Sequence, residues 1–139
     1  MNRLVKTMVT SLAILLIGGS IALVVIWGVN GEENKGQAVS IDEIIEHSYQ
    51  SPEVTTDLKD GSFVRIQFQI LTDGKDAKEE ISKRDFQLKN ILIKELAKLT
   101  EEDFKTGLSN LEDVVQTKLN EVMTDGRITD VYTINKILQ

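Results

Sequence analysis

From Thr7 to Gly31 the chain carries no charged side chain, and Met8 to Val29 is dominated by Leu, Ile, Val, Ala and Met. About 22 residues at 1.5 Å each make a helix of roughly 33 Å, enough to cross a hydrocarbon core of about 30 Å. Gly18, Gly19 and Ser20 would weaken a helix in water, but in lipid no water competes for the backbone hydrogen bonds. Trp27 stands near the far end of the run, where aromatic side chains mark a membrane interface. Arg3 and Lys6 precede the run while Glu32 and Glu33 come after it, and positive charge stays inside. Residues 7–29 therefore read as a single transmembrane helix, with residues 1–6 cytoplasmic and the remainder outside the membrane. A cleaved signal peptide is the competing reading. Its apolar region would span only about 7–15 residues and end in a small-x-small site, and Val24-Val25-Ile26-Trp27 stands where that cleavage would fall.

The two ends differ sharply in charge. The net charge of the chain is −6, and every acidic residue lies beyond Gly31, so with Arg3 and Lys6 set aside the rest carries −8. Such a domain is a poor nucleic-acid binder, because a duplex needs clustered Lys and Arg to neutralise its phosphates. There is no cysteine, which removes disulfides, thiolate metal sites and cysteine nucleophiles. The outer domain must stand on its hydrophobic core alone.

Residues 30–38, polar and glycine-containing, read as a linker, and residues 39–139 as the extracytoplasmic domain. Ser40-Ile41-Asp42-Glu43 has the capping-box spacing and predicts a short helix to about Ser48, with Pro52 ending that element. Lys59-Asp60-Gly61 predicts a turn joining two strands, Glu53 to Leu58 and Ser62 to Thr72. In the second, Val64, Ile66, Phe68 and Ile70 alternate with Phe63, Arg65, Gln67 and Gln69, so one face is buried and the other is mainly polar.

Lys75 to Leu99 predicts one long helix, with Ala77, Ile81, Leu88, Ile91, Leu92 and Leu99 on its main apolar stripe. Phe86, Ile93 and Ala97 form a second, smaller strip near the opposite side. The simpler expectation is that another part of the domain covers that strip; the sharper one is a contact between subunits or with a partner. Arg84 falls on the main stripe between Ile81 and Leu88. Its stem would ordinarily pack there while the guanidinium reaches the surface or a carboxylate. Phe86, Ile93, Ala97 and Arg84 are thus the candidate contact residues.

Thr100 and Asp103 predict a capped short helix around Phe104, ended by Gly107. Ser109-Asn110-Leu111-Glu112 predicts a second capping box, opening a helix with Leu111, Val115, Leu119 and Val122 on one face and Asp125-Gly126 as its stop. Arg127 to Gln139 reads as a strand with apolar residues on both faces, expected inside a sheet or against a helix. The expected fold class is α+β, ordered helix, hairpin, two helices, strand.

The chemical inventory points away from catalysis. His47 is the single histidine and cannot assemble a multi-histidine metal site, so a structural role is expected. Asp42, Glu43 and Glu46, and again Glu101, Glu102 and Asp103, cluster at predicted helix starts, where negative charge complements the helix dipole. No phosphate-cradling glycine loop and no nucleophile elbow occurs. The expectation is a protein that is not an enzyme, with no cofactor, no metal and no small-molecule substrate.

Three stretches come after the charged start, the apolar run and the linker: Asp60-Gly61-Ser62-Phe63-Val64-Arg65-Ile66-Gln67-Phe68, the helical segment from Lys83 to Leu96, and the segment from Gly126 to Gln139. In that order they resemble the flagellar basal body-associated FliL family, with Ile134 and Lys136 in a segment where the family is often richer in aromatic residues. The resemblance implies an outer domain like the stomatin/prohibitin (SPFH) fold, assembly of like chains into a ring, and association with the MotA/MotB stator at the cell (inner) membrane. It implies support of motor torque, motility or swarming through binding. The runner-up is a general SPFH-like membrane scaffold unrelated to flagella.

Overall fold

The computed structural model describes residues 2–11 and 38–139. The chain divides into two units, Met1–Ala38 and Val39–Gln139. In the first, residues 3–11 are helical, with Leu4, Met8 and Val9 exposed and the hydroxyls of Thr7 and Thr10 turned back onto helix carbonyls. Most of the expected membrane helix, and nearly all of the linker, lie outside the described residues. Among the described residues no helix is long and apolar enough to cross a membrane.

The second unit runs α1 (Ile41–Glu46), β1 (Ser48–Gln50), β2 (Val54–Asp57), β3 (Phe63–Thr72), α2 (Lys75–Lys83), α3 (Asp85–Leu96), α4 (Glu101–Thr106), α5 (Leu108–Val122) and β4 (Ile128–Leu138). The class is α+β, as its residue patterns predict. β3 is the centre of an antiparallel sheet: β4 pairs along its residues 64–72, so β1 and β2 lie in series on its other edge. The alternation holds as read, with Val64, Ile66, Phe68 and Ile70 buried beneath the helices and Phe63, Arg65, Gln67 and Gln69 on the open face.

Pro52 separates β1 from β2, because it has no N–H to give to the ladder. Ser51 makes good the gap. Its N–H donates to the Phe68 carbonyl at 2.9 Å and its hydroxyl accepts from the Phe68 N–H at 3.0 Å. The sequence pattern places the start of β1 in the tail of the first helix, and the structure corrects this. The helix ends at Glu46, with Ser40 accepting from the Glu43 N–H, and the chain turns at His47 to let Tyr49 join the sheet opposite Ile70. His47 has a backbone role: its carbonyl accepts from the Thr72 N–H and hydroxyl.

The single long helix expected from Lys75 to Leu99 is two helices, α2 and α3, broken at Arg84 with φ −102° and ψ 18°. Ala77 and Ile81 of α2 and Leu88, Leu92 and Leu96 of α3 are all buried. The apolar phase therefore carries through the bend, which is why periodicity alone does not reveal it. The second expected capping box is also corrected. α5 starts at Leu108 with no side-chain cap, and Glu112 turns instead to β4, accepting from the Thr133 hydroxyl at 2.9 Å. At Thr100 the capping box forms as expected, with Asp103 as the reciprocal partner.

Among the described residues β4 pairs with β3 alone and is an edge strand, not a central one. A long edge invites pairing with other chains, and α5 covers part of this one. Glu112, Gln116 and Asn120 recur every four residues beside the buried row Leu111, Val115 and Leu119. Asn120 both accepts from the Ile128 N–H (2.8 Å) and donates to its carbonyl (2.9 Å), while Gln116 donates to the Thr129 carbonyl (2.9 Å). Thus β4 lies against a helix, one of its two expected settings. Lys136 reaches over the ring of buried Phe104, 5.9 Å from its centre, so a cation–π contact lies under this part of the strand.

Candidate functional site

The three leucines that bury α3 lie on one side of it, and successive residues turn by about 100°. Phe86, Ile93 and Ala97 consequently fall together on the outward side. Phe86 is 71% exposed and Ile93 41%, and Ala97 is exposed as well. The simpler expectation, that another part of the domain covers this strip, is corrected: none of the described residues does. Beside it runs a groove of about 440 Å³ between α3 and α5, lined by Phe86 and Ile91 and by charges of both signs, Lys94 and Lys118 with Glu95 and Glu121.

Lysines rim the strip. From Ser82 to Lys98 the exposed charged side chains are Lys83, Lys89, Lys94 and Lys98, and no carboxylate in that span is exposed. Glu95 is drawn inward between Lys98 (3.0 Å) and Lys118 (3.7 Å), and Lys83 pairs with Glu79 at 3.1 Å. Lys89 and Lys94 have no ion pair among the described residues. A basic, apolar surface has thus been set on a domain whose overall charge is strongly negative.

Arg84 differs from the other three candidate residues. Its guanidinium donates to Glu80 from Nε at 2.8 Å and Nη2 at 2.6 Å, and to the Gln87 side chain at 2.6 Å. Glu80, only 9% exposed, also accepts from the Asp125 N–H (2.6 Å) and the Thr124 N–H (2.9 Å). One carboxylate thereby ties the bend between α2 and α3 to the loop between α5 and β4. Burial works against ionisation of Glu80, but the hydrogen bonds from Asp125, Arg84 and Thr124 outweigh it and hold the carboxyl down to about 2. The charge is locked on at any physiological pH.

On the other side of the bend, the Tyr49 hydroxyl donates to Asp85 at 2.7 Å. Burial, then the Asp85 carboxylate, pushes the Tyr49 phenol up to about 12. These two anchors set the direction in which α3 leaves the bend and hence where its outward strip points. Neither is legible in the sequence as a pair, since residues 80 and 125, like 49 and 85, are far apart in the chain.

Among the described residues no group of three or more His, Asp or Glu side chains is placed to hold a metal ion. The acidic clusters act at helix starts: Asp103 caps α4 through Thr100, and that cap holds its carboxyl below the usual range.

Phe86→Asp is expected to leave the stability of residues 39–139 within about 0.5 kcal/mol of the parent, as for other surface changes. Thermal unfolding followed by circular dichroism measures it. A loss above about 2 kcal/mol would make Phe86 part of the core.

These features define a helix-backed sheet whose α3 carries an apolar strip that the described residues leave exposed. Residues 48–139 match the family model of the flagellar basal body-associated protein FliL. Over 124 residues the chain is 31% identical to the flagellar protein FliL of Bacillus subtilis (strain 168), covering 87% of this chain and 89% of that one. The chain belongs to the FliL family, a family of flagellar accessory proteins that is not a known enzyme family.

Proposed function

We propose that this protein is held in the cell membrane by one helix spanning residues 7–29, with residues 39–139 outside. There it associates with the MotA/MotB stator and supports motor torque, motility or swarming. The uncharged run from Thr7 to Gly31 supports the anchor, and family membership supports the setting at the flagellum. The observation that carries assembly of like chains is the strip of Phe86, Ile93 and Ala97, left uncovered by the described residues and rimmed by lysines. Contact surfaces of this kind, apolar in the middle and charged at the rim, are what partner recognition requires. In this reading the outer domain is SPFH-like in fold and copies of the chain form a ring, whose closure is favoured by concentration in the membrane plane.

A clean deletion is expected to reduce swimming or swarming, and photo-crosslinkers scanned over the exposed positions of residues 39–139 are expected to trap a stator subunit in cells. Motility and load response equal to the parent, with no stator adduct from any exposed position of residues 39–139, would refute the stator role. Protease added to intact protoplasts is expected to digest residues 39–139. Protection of that part, or its release without detergent, would refute the anchor.

A further inference from the structure

Among the described residues the domain has a second uncovered apolar surface, and its charge is opposite to that of the strip on α3. Helix α1 has no buried residue, although Ile41 is 66% exposed, Ile45 60% and the preceding Val39 57%. Its acids interleave with these: Asp42 and Glu43 are exposed, with no ion pair among the described residues, and Glu46 is held by Lys75 at 2.8 Å. The outward face of α3 has the same alternation with the sign reversed, Phe86 and Ile93 set among Lys89 and Lys94.

We propose that the lysine-rimmed strip of α3 receives helix α1 of a second copy of this chain. The proposal rests on the ring reading above and specifies which two surfaces would meet. Within one copy α1 cannot serve, because it leads at His47 directly into β1, which is paired to β3. That pairing holds α1 at the sheet, with the Lys78 ammonium 2.9 Å from the Glu46 carbonyl and Lys75 2.8 Å from its side chain, while the strip faces away from the sheet.

Two identical strips would set lysine against lysine, and two α1 helices would set acid against acid, so a symmetric contact through either patch is disfavoured. Pairing the unlike patches is heterologous. Each added copy leaves one strip and one α1 free, so assembly continues until it closes. An anionic lipid surface would suit the lysines, yet it would repel Asp42 and Glu43 and leave the apolar residues of α1 uncovered. A second copy satisfies both surfaces at once.

The natural chain has no cysteine, which allows a direct test with the full-length protein in membranes. Copies carrying Ile45→Cys and copies carrying Asn90→Cys, with different tags, are co-expressed and oxidised. The mixed 45–90 disulfide is expected to form. Lys89→Glu with Lys94→Glu in the Asn90→Cys copy should lower its yield about tenfold, and Asp42→Lys with Glu43→Lys in the other copy should restore it.

An unchanged yield after charge reversal would overturn the pairing. So would the absence of the 45–90 bond while copies cross-link through Thr55→Cys on the open sheet face, an outcome that leaves a ring standing. Protection of a thiol at residue 90 by phosphatidylglycerol vesicles, with the chain diluted to a monomer, would make lipid the occupant and overturn it too. A monomer mass in detergent with no cross-link from any position would remove the ring reading itself.

Discussion

Glu80→Ala is expected to cost residues 39–139 about 3 kcal/mol, read as the shift in a urea unfolding curve. The carboxylate is the shared acceptor for Arg84, Thr124 and Asp125. Removing it leaves the guanidinium with Gln87 alone and takes the acceptor from two part-buried backbone donors, and breaking a buried pair from one side typically costs about 3–5 kcal/mol. The lower figure is appropriate because the Arg84 side chain retains 23% exposure. A change below about 1 kcal/mol would mean that water replaces the carboxylate without penalty.

Glu80→Gln tests the charge separately, and its sign comes from linkage. The folded carboxyl lies at about 2, below its ordinary 4.5, so above pH 4.5 the unfolded chain gains nothing by binding a proton there. As pH falls from 4.5 toward 2 the unfolded state binds that proton first, and the contribution of the charge is progressively lost. The stability gap between the parent and Glu80→Gln is expected to be full at neutral pH and to close across that window. A gap that stays constant down to pH 2 would show that the ionised form has no special partner.

The other large effect belongs to Phe68. Its ring is fully buried at the middle of β3, and its backbone is paired on one edge with Ser51 and in register with Thr133 on the other. Truncating a buried phenylalanine leaves a cavity that its neighbours only partly fill, at about 3–5 kcal/mol. Against a total of about 5–15 kcal/mol for a domain, Phe68→Ala is expected to leave residues 39–139 only marginally folded. Phe63→Ala on the same strand but the open face, where the ring is 55% exposed, is expected to stay within about 1 kcal/mol. Comparable losses at both sites, measured by urea titration, would mean that the open face is covered by something else.

The contrast between those two phenylalanines is legible from residue order alone. Period-two alternation assigns Phe63 and Phe68 to opposite faces wherever the strand lies, because the pleat itself dictates it. Thr100 and Asp103 are equally local: the cap they form closes within three residues. The strip of Phe86, Ile93 and Ala97 is legible as a second apolar face, but its exposure is not. Whether an apolar strip is covered depends on which other segments arrive beside it, and these are set by contacts such as that between Glu80 and the loop at Asp125.

Residue order and composition suffice for the uncharged apolar run, the acidic character of residues 32–139, the α+β class and the faces of β3. Each is a sum or a short-period pattern, and such patterns survive any arrangement of the segments. Packing in three dimensions settles the bend at Arg84, the detachment of β1 from the first helix, the unaided start of α5 and the cover that Glu112, Gln116 and Asn120 give to β4. All four depend on partners distant in the chain. A bend that keeps helical phase, or a polar side chain that leaves a local cap for a distant strand, changes the fold without changing the pattern that a sequence displays.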